Sequence, residues 1–390
     1  MKDHALLSAS GSERWLNCTP SARMEEKIED TESVFAQEGT AAHHLVEVLN
    51  RVAFNPGELS EKQYKLQLNE VKNSPYYNAE MDEHAKAFNS FIAEELTAAK
   101  KIDKNAFIDF EVRLDYSKYV PEGFGTGDVI IIADDTLQII DFKYGKGVFV
   151  EAEENSQMLL YALGAILEYS MVYPIDNIKM IIYQPRLDNI STNSIKTKDL
   201  MEWAESTLKE KALLAYDGAG DFIPGDHCRF CKIKATCRAL AEHNLKLQAY
   251  EYKDPNLLSL EEIGDIIKIA DRLKSWTEDI KSYALDQALA GQKIPGFKVV
   301  EGRSNRGYLD EPMIAKILKK NKFKVTDIFE RKLIGITKME KLLGKQTFDS
   351  LLSDYVVKPD GKPTLVPITD KRPEFISAEI DFKDIDLTQL

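Results

Sequence analysis

The chain has few cysteines, few tryptophans and no long apolar run. Its 390 residues hold four cysteines and three tryptophans. So few cysteines exclude the disulfide framework that staples small secreted domains, and a reducing compartment suits thiols used as ligands. No run of about 18 apolar residues occurs, so neither a membrane-spanning helix nor a membrane partner is expected. The opening MKDHALLSASGSERW lacks the apolar core of a signal peptide, which makes a cytoplasmic protein the expectation. Positive charge is also short: 51 Lys and Arg against 64 Asp and Glu leave a net charge of −13. That argues against a protein that coats nucleic acid nonspecifically, but a DNA-processing enzyme needs only a local basic surface. The remaining composition, 44% hydrophobic and 29% charged, is that of an ordinary globular protein.

Periodicity gives a coarse order of helix, three strands, helix, strand: a mixed α/β sheet flanked by helices. Helices are expected after Ser8 or Ser10, in AQEGTAAHHLVEVLNRVAF entered at Gly39-Thr40, and over most of 60–100 apart from a break at Pro75. Two more are expected in ENSQMLLYALGAILEYS and over 199–216. FIDFEVRLDY and NIKMIIYQPRL are strand-like, and GDVIIIA and TLQIIDFK form a hairpin around Asp134-Asp135. The composition changes near residue 250. Residues 1–248 carry the chemistry-bearing motifs, and 249–390 form a mainly helical accessory region with a strand at IPGFKVV.

The hairpin carries the sharpest signal. With Asp134-Asp135 as the loop, Asp128 faces Asp141, and Lys143 projects from the same face as Asp141. Two carboxylates beside an Ile-rich core are costly unless a cation binds there. Asp128, Asp141 and the Phe142 carbonyl can hold a hard divalent ion, with Lys143 orienting water or neutralising phosphate charge. A solvated surface hairpin is the plain alternative. His43 shares a helix face with Glu47 and would bias such a site toward Mn2+ or Fe2+ over Mg2+, although a routine His–Glu pair also explains it. Gln157 and Tyr161, again four apart, can hold a phosphate or base near the metal, or simply anchor a core tyrosine. Glu111, on the first strand, is a candidate for a further acidic contributor, with a solvent-facing strand residue as the preferred reading.

Cys228, Cys231 and Cys237 cluster, with Cys18 far upstream. Such thiolates converge on one Zn2+ ion or one iron–sulfur cluster, and a remote fourth ligand would tie the N-terminal helix to the end of the domain. His227 is a substitute ligand if Cys18 stands apart. Arg303, Arg306, Arg331 and Lys332 are candidate DNA contacts or an ordinary solvated surface.

Taken in order, Gly39…His43, Gly125…Asp128, Asp141-Phe142-Lys143, Gln157…Tyr161 and the four cysteines resemble the RecB-like branch of the PD-(D/E)XK nuclease superfamily. The resemblance spans roughly residues 8–240 and is strongest to the iron–sulfur members, the AddB-type and CRISPR-associated exonucleases. It implies a restriction-endonuclease-like core and Mg2+ or Mn2+ held by His43, Asp128 and Asp141. It also implies catalysis by Lys143, positioning by Gln157 and Tyr161, and a structural 4Fe–4S cluster. The whole chain, with its GKPTLVPITDKRPEF ending, also looks like a phage-associated family of uncharacterised proteins. The expected function is a metal-dependent DNA nuclease, an exonuclease acting on ends or single strands, with a phage recombination protein as a possible partner. The rivals are a non-catalytic DNA-binding or assembly protein on the same fold and a zinc-stabilised RNA-binding protein.

Overall fold

The computed structural model describes residues 5–28, 34–245, 260–302, 306–328, 333, 335–357, 361, 363–367 and 373–375. The chain divides into two compact units, Met1–Asp254 and Pro255–Leu390. No helix among the described residues is long and apolar enough to cross a membrane.

In the first unit, α1 (Ser12–Asn17), α2 (Ser21–Glu25), α3 (Val34–Phe54), α4 (Glu61–Lys72) and α5 (Ala79–Ile102) come first. The strands β1 (Phe107–Asp115), β2 (Phe124–Ala133) and β3 (Thr136–Phe142) follow, then α6 (Ser156–Tyr169), β4 (Asn177–Gln184) and β5 (Asn189–Lys196). A last group holds α7 (Thr197–Trp203), a π-helical turn at Ala204–Leu208, α8 (Lys209–Asp217) and α9 (Arg238–Leu245). The sheet runs β1-β2-β3-β4-β5 and is mixed: β3 and β4 are parallel, and every other pair is antiparallel. The parallel pair requires the crossover that α6 supplies.

Alternation along the strands divides the core. Ile130, Ile132, Leu137, Ile139, Met180 and Ile182 pack with α6 and the N-terminal segment. Val129, Ile131, Ile140, Phe142 and Ile181 pack on α3 and α5. Side-chain caps fix where helices begin: Asn78 accepts from the Met81 amide and Asn155 from the Met158 amide.

Three sequence expectations change. The sheet has a fifth strand, β5, where none is expected. α3 begins at Val34, well before Gly39. Glu111 does not face solvent: it takes a left-handed φ of 50°, and the alternation of β1 switches there. Phe110 packs on the α3/α5 side, whereas Leu114 belongs to the α6 side.

In the second unit, α10 (Leu260–Leu289) leads to β6 (Phe297–Glu301) and β7 (Gly307–Tyr308). Then come α11 (Glu311–Lys320), α12 (Val325–Ile328), α13 (Ile336–Leu343), α14 (Lys345–Leu352), β8 (Val356–Val357) and β9 (Pro363–Pro367). β6 pairs with β9 and β7 with β8, both antiparallel. Ile314, Leu318, Ile328, Met339, Phe348 and Leu352 form its core. Arg306 is engaged by Glu340, while Arg303, Arg331 and Lys332 lie outside the described residues.

Candidate metal centre and cysteine cluster

The hairpin has the register its sequence requires. Val129 pairs with Ile140 and Ala133 with Thr136, so Asp128 stands opposite Asp141 at the open end. The Phe142 amide donates to Asp128 Oδ2 at 2.6 Å. Neighbouring N–H and C=O groups of one strand residue point to the same side, so the Phe142 carbonyl also faces β2. Lys143, just past the strand, places Nζ 3.1 Å from Asp141 Oδ2 and 2.9 Å from Gln157 Oε1. Gln157 Nε2 in turn reaches Asp141 Oδ1 at 3.3 Å and the Tyr161 hydroxyl at 2.9 Å. A Cβ on Gly125 would lie 2.8 Å from the Tyr161 ring, so glycine there makes room for the aromatic ring.

From α3, His43 Nδ1 lies 3.4 Å from Asp128 Oδ1, and the imidazole packs edge-on to Phe142. Glu47 does not turn to His43 but pairs with Arg51 at 3.0 Å. Arg186, beyond β4, grips Glu38 at 2.8 Å and so fixes the helix turn before His43. Nothing in the sequence motifs pointed to that clamp.

Glu111 is the residue the sequence reading misjudged. Ligand atoms of His43, Glu111 and Asp128 all lie within 4.8 Å of one another. Among the described residues this is the one such group of three or more His, Cys, Asp or Glu. Asp141 stands outside it, held by Lys143 and Gln157. Its Oδ2 is buried, with the Lys143 ammonium 3.1 Å away. A nitrogen and carboxylate oxygens gathered this way fit Mn2+, Mg2+ or Fe2+.

The charges show the strain of this gathering. Burial opposes a charged His43, yet the Asp128 carboxylate, with Asp141 behind it, lifts its pKa to about 9. Burial, then Asp128, pushes Glu111 up to about 8. Burial also opposes ionised Asp128, but His43 and the Phe142 amide hold it below the usual range. Burial raises Asp141 despite Lys143.

His43 and Glu111 both bind protons more tightly in the folded than in the unfolded chain. Stability therefore falls as pH rises where the native state holds the extra protons. Glu111 begins to cost stability above its unfolded value near 4.5, and His43 gives up its contribution between 6.5 and about 9. Metal-free protein is expected to melt at progressively lower temperature from pH 5 to pH 9. Calorimetry in chelator checks this, and Glu111→Gln should flatten the lower part of the slope. A flat profile in the unsubstituted protein would contradict this electrostatic account.

The four cysteines are free thiols. They line one small cavity with Ser21, Ile223 and Leu240. Burial raises Cys18 and Cys228, and burial with the neighbouring Glu25 raises Cys231 to about 12. A bound cation would reverse this by stabilising thiolates. No three of the thiols fall within 4.8 Å of one another, whereas Zn–S bonds of about 2.3 Å place tetrahedral sulfurs roughly 3.8 Å apart. His227 lines the same cavity, and its Nε2 lies 2.8 Å from the Ile223 carbonyl, which leaves Nδ1 as the ring atom for a substitute ligand. Glu25 binds Arg14 at 2.8 Å and the Lys232 amide at 2.7 Å, tying the N-terminal helices to this segment independently of any metal.

A family model described as "Protein of unknown function (DUF2800)" matches residues 4–373. The chain belongs to this family. Among solved structures, SSO0001 is similar at 14% identity over 59% of this chain and 96% of the other. Its TM-score of 0.23 is too low to carry an argument.

Proposed function

We propose that this member of the DUF2800 family is a metal-dependent DNA nuclease. The observation that carries the reading is the convergence of His43, Glu111 and Asp128 beside the Asp141–Lys143–Gln157 hydrogen-bonded chain. His43, Glu111 and Asp128 would hold a divalent cation, with Asp141 as the next carboxylate. Such an ion polarises a phosphoryl oxygen and lowers the pKa of water. Lys143 supplies an ammonium where phosphate charge develops, and its hydrogen bond to Gln157 fixes its direction. Tyr161, its pKa raised well above 10 by burial, stays a neutral phenol that accepts from the Gln157 amide and keeps its own O–H to donate to the scissile phosphate. Gly125 provides the space that lets the Tyr161 ring lie against β2.

At the cysteines, which line one cavity, the resemblance supports a 4Fe–4S cluster, with Zn2+ as the alternative. The resemblance to RecB-like nucleases supports DNA end processing as the activity, and the resemblance to a phage-associated family supports phage recombination as its context. DNA ends or single strands are the proposed substrate, and the cytoplasm the proposed compartment.

The test is hydrolysis of end-labelled single- and double-stranded DNA in Mn2+ and in Mg2+. Cleavage is expected only with metal, with Lys143→Ala slower by roughly 100-fold or more. Cleavage equal in the Lys143→Ala variant, or metal-independent, would sink the assignment.

A further inference from the structure

Two aromatic rings stand exposed on the loop after Lys143 and on the cysteine segment that touches it. Phe149, on the loop that follows Lys143, is 58% exposed, and Phe230 is 64% exposed. Phe230 sits between Cys228 and Cys231, so the segment that presents it is anchored at both ends by the cysteine cluster. Arg229 connects the two regions. Its guanidinium lies 5.6 Å from the Phe230 ring centre, and its Nη2 donates to the Gly147 carbonyl at 3.3 Å. The cysteine segment therefore touches the loop that carries Lys146 and Phe149. Lys146 and Arg229 are both exposed. Glu151, the next acid along that loop, turns away to take the Ser191 hydroxyl at 2.6 Å.

Neither ring belongs to the core of this unit. Exposed aromatics interleaved with cations are how proteins hold unpaired nucleotides: rings stack on bases, and cations track the backbone. We propose that Phe149 and Phe230, with Arg229 between their segments and Lys146 beside them, form a stacking platform for single-stranded DNA leading to Lys143. A duplex keeps its bases stacked on one another and gains little from such rings, so the platform selects unpaired ends. This assignment rests on the nuclease reading for why a strand should arrive there. Metal binding at Cys228 and Cys231 would hold Phe230 in place.

The test measures binding, not cleavage. Full-length protein purified anaerobically is titrated, without added divalent metal, against a labelled oligothymidine and a blunt duplex, reading fluorescence anisotropy. Stacking is worth about 1–3 kcal/mol per base, so Phe149→Ala and Phe230→Ala should each weaken oligothymidine binding roughly 10-fold, and together roughly 100-fold, with duplex binding changed less than about 2-fold. Phe149→Trp and Phe230→Trp should retain full affinity. Four outcomes overturn the platform: no oligothymidine binding by the unsubstituted protein, unchanged affinity in the double variant, equal losses on both DNAs, or loss in the Trp variants. The nuclease reading fails separately. If metal-dependent cleavage is absent but the selective binding loss occurs, the platform stands. If cleavage depends on Lys143 but binding ignores both rings, only the platform falls.

Discussion

Asp141→Asn is expected to cut metal-dependent DNA hydrolysis roughly 100- to 1,000-fold without lowering the thermal midpoint. Asp141 is buried, and burial raises its pKa even with Lys143 beside it. The folded environment as a whole therefore prefers the neutral group. A carboxylate raised in this way costs stability as pH rises above its unfolded pKa near 3.9. Asparagine removes that cost. It keeps an oxygen for the Gln157 amide, and Lys143 keeps Gln157 Oε1. What it removes is the anionic Oδ2 that faces the Lys143 ammonium at 3.1 Å. Activity is lost and the fold is not, which is the trade expected where a site retains a charge the fold would rather discard. Steady-state cleavage and differential scanning calorimetry on the same preparation check this. A midpoint that drops in step with activity would make Asp141 a structural residue.

Much of this site was legible because a hairpin with a known loop fixes its own register. Once Asp134-Asp135 was the turn, Asp128 had to oppose Asp141, and alternation placed Lys143 beyond it. Helical spacing did the same for Gln157 and Tyr161. Glu111 was legible only as one of two readings, a further acidic group or a solvent-facing strand residue. A left-handed φ at one residue moves the side chains before and after it to opposite faces, and nothing in FIDFEVRLDY marks that position as unusual. β5 escaped for another reason. Its sequence, NISTNSIK, is mostly polar, and only its first half is buried, as suits an edge strand that contributes little to the core. The start of α3 is supported by the Arg186–Glu38 ion pair, a contact between residues far apart in the chain that no local pattern encodes. Local periodicity thus carried the chemistry of the hairpin and α6, while the residues that complete it depend on tertiary contacts.

Cys18→Ala is expected to abolish the broad absorbance near ~400 nm of anaerobically purified protein and to lower its thermal midpoint by roughly 10 °C. Metal-binding energy at a structural site is folding energy, about 10–16 kcal/mol for zinc-finger peptides. Losing even 3–5 kcal/mol at about 2–4 °C per kcal/mol gives a shift of that size. The N-terminal segment should nevertheless stay docked. Trp15 Nε1 donates to the Ser8 carbonyl at 2.9 Å, Ser12 reaches Ser156 at 2.7 Å, and Thr19 holds the Ala219 carbonyl at 2.6 Å. The signature of one shared ion or cluster is non-additivity: Cys231→Ala alone, and the Cys18→Ala, Cys231→Ala double variant, should melt near the Cys18→Ala single variant. Additive losses would mean that the thiols stabilise the fold independently. One stoichiometric zinc in a colourless protein would keep the staple and remove the iron.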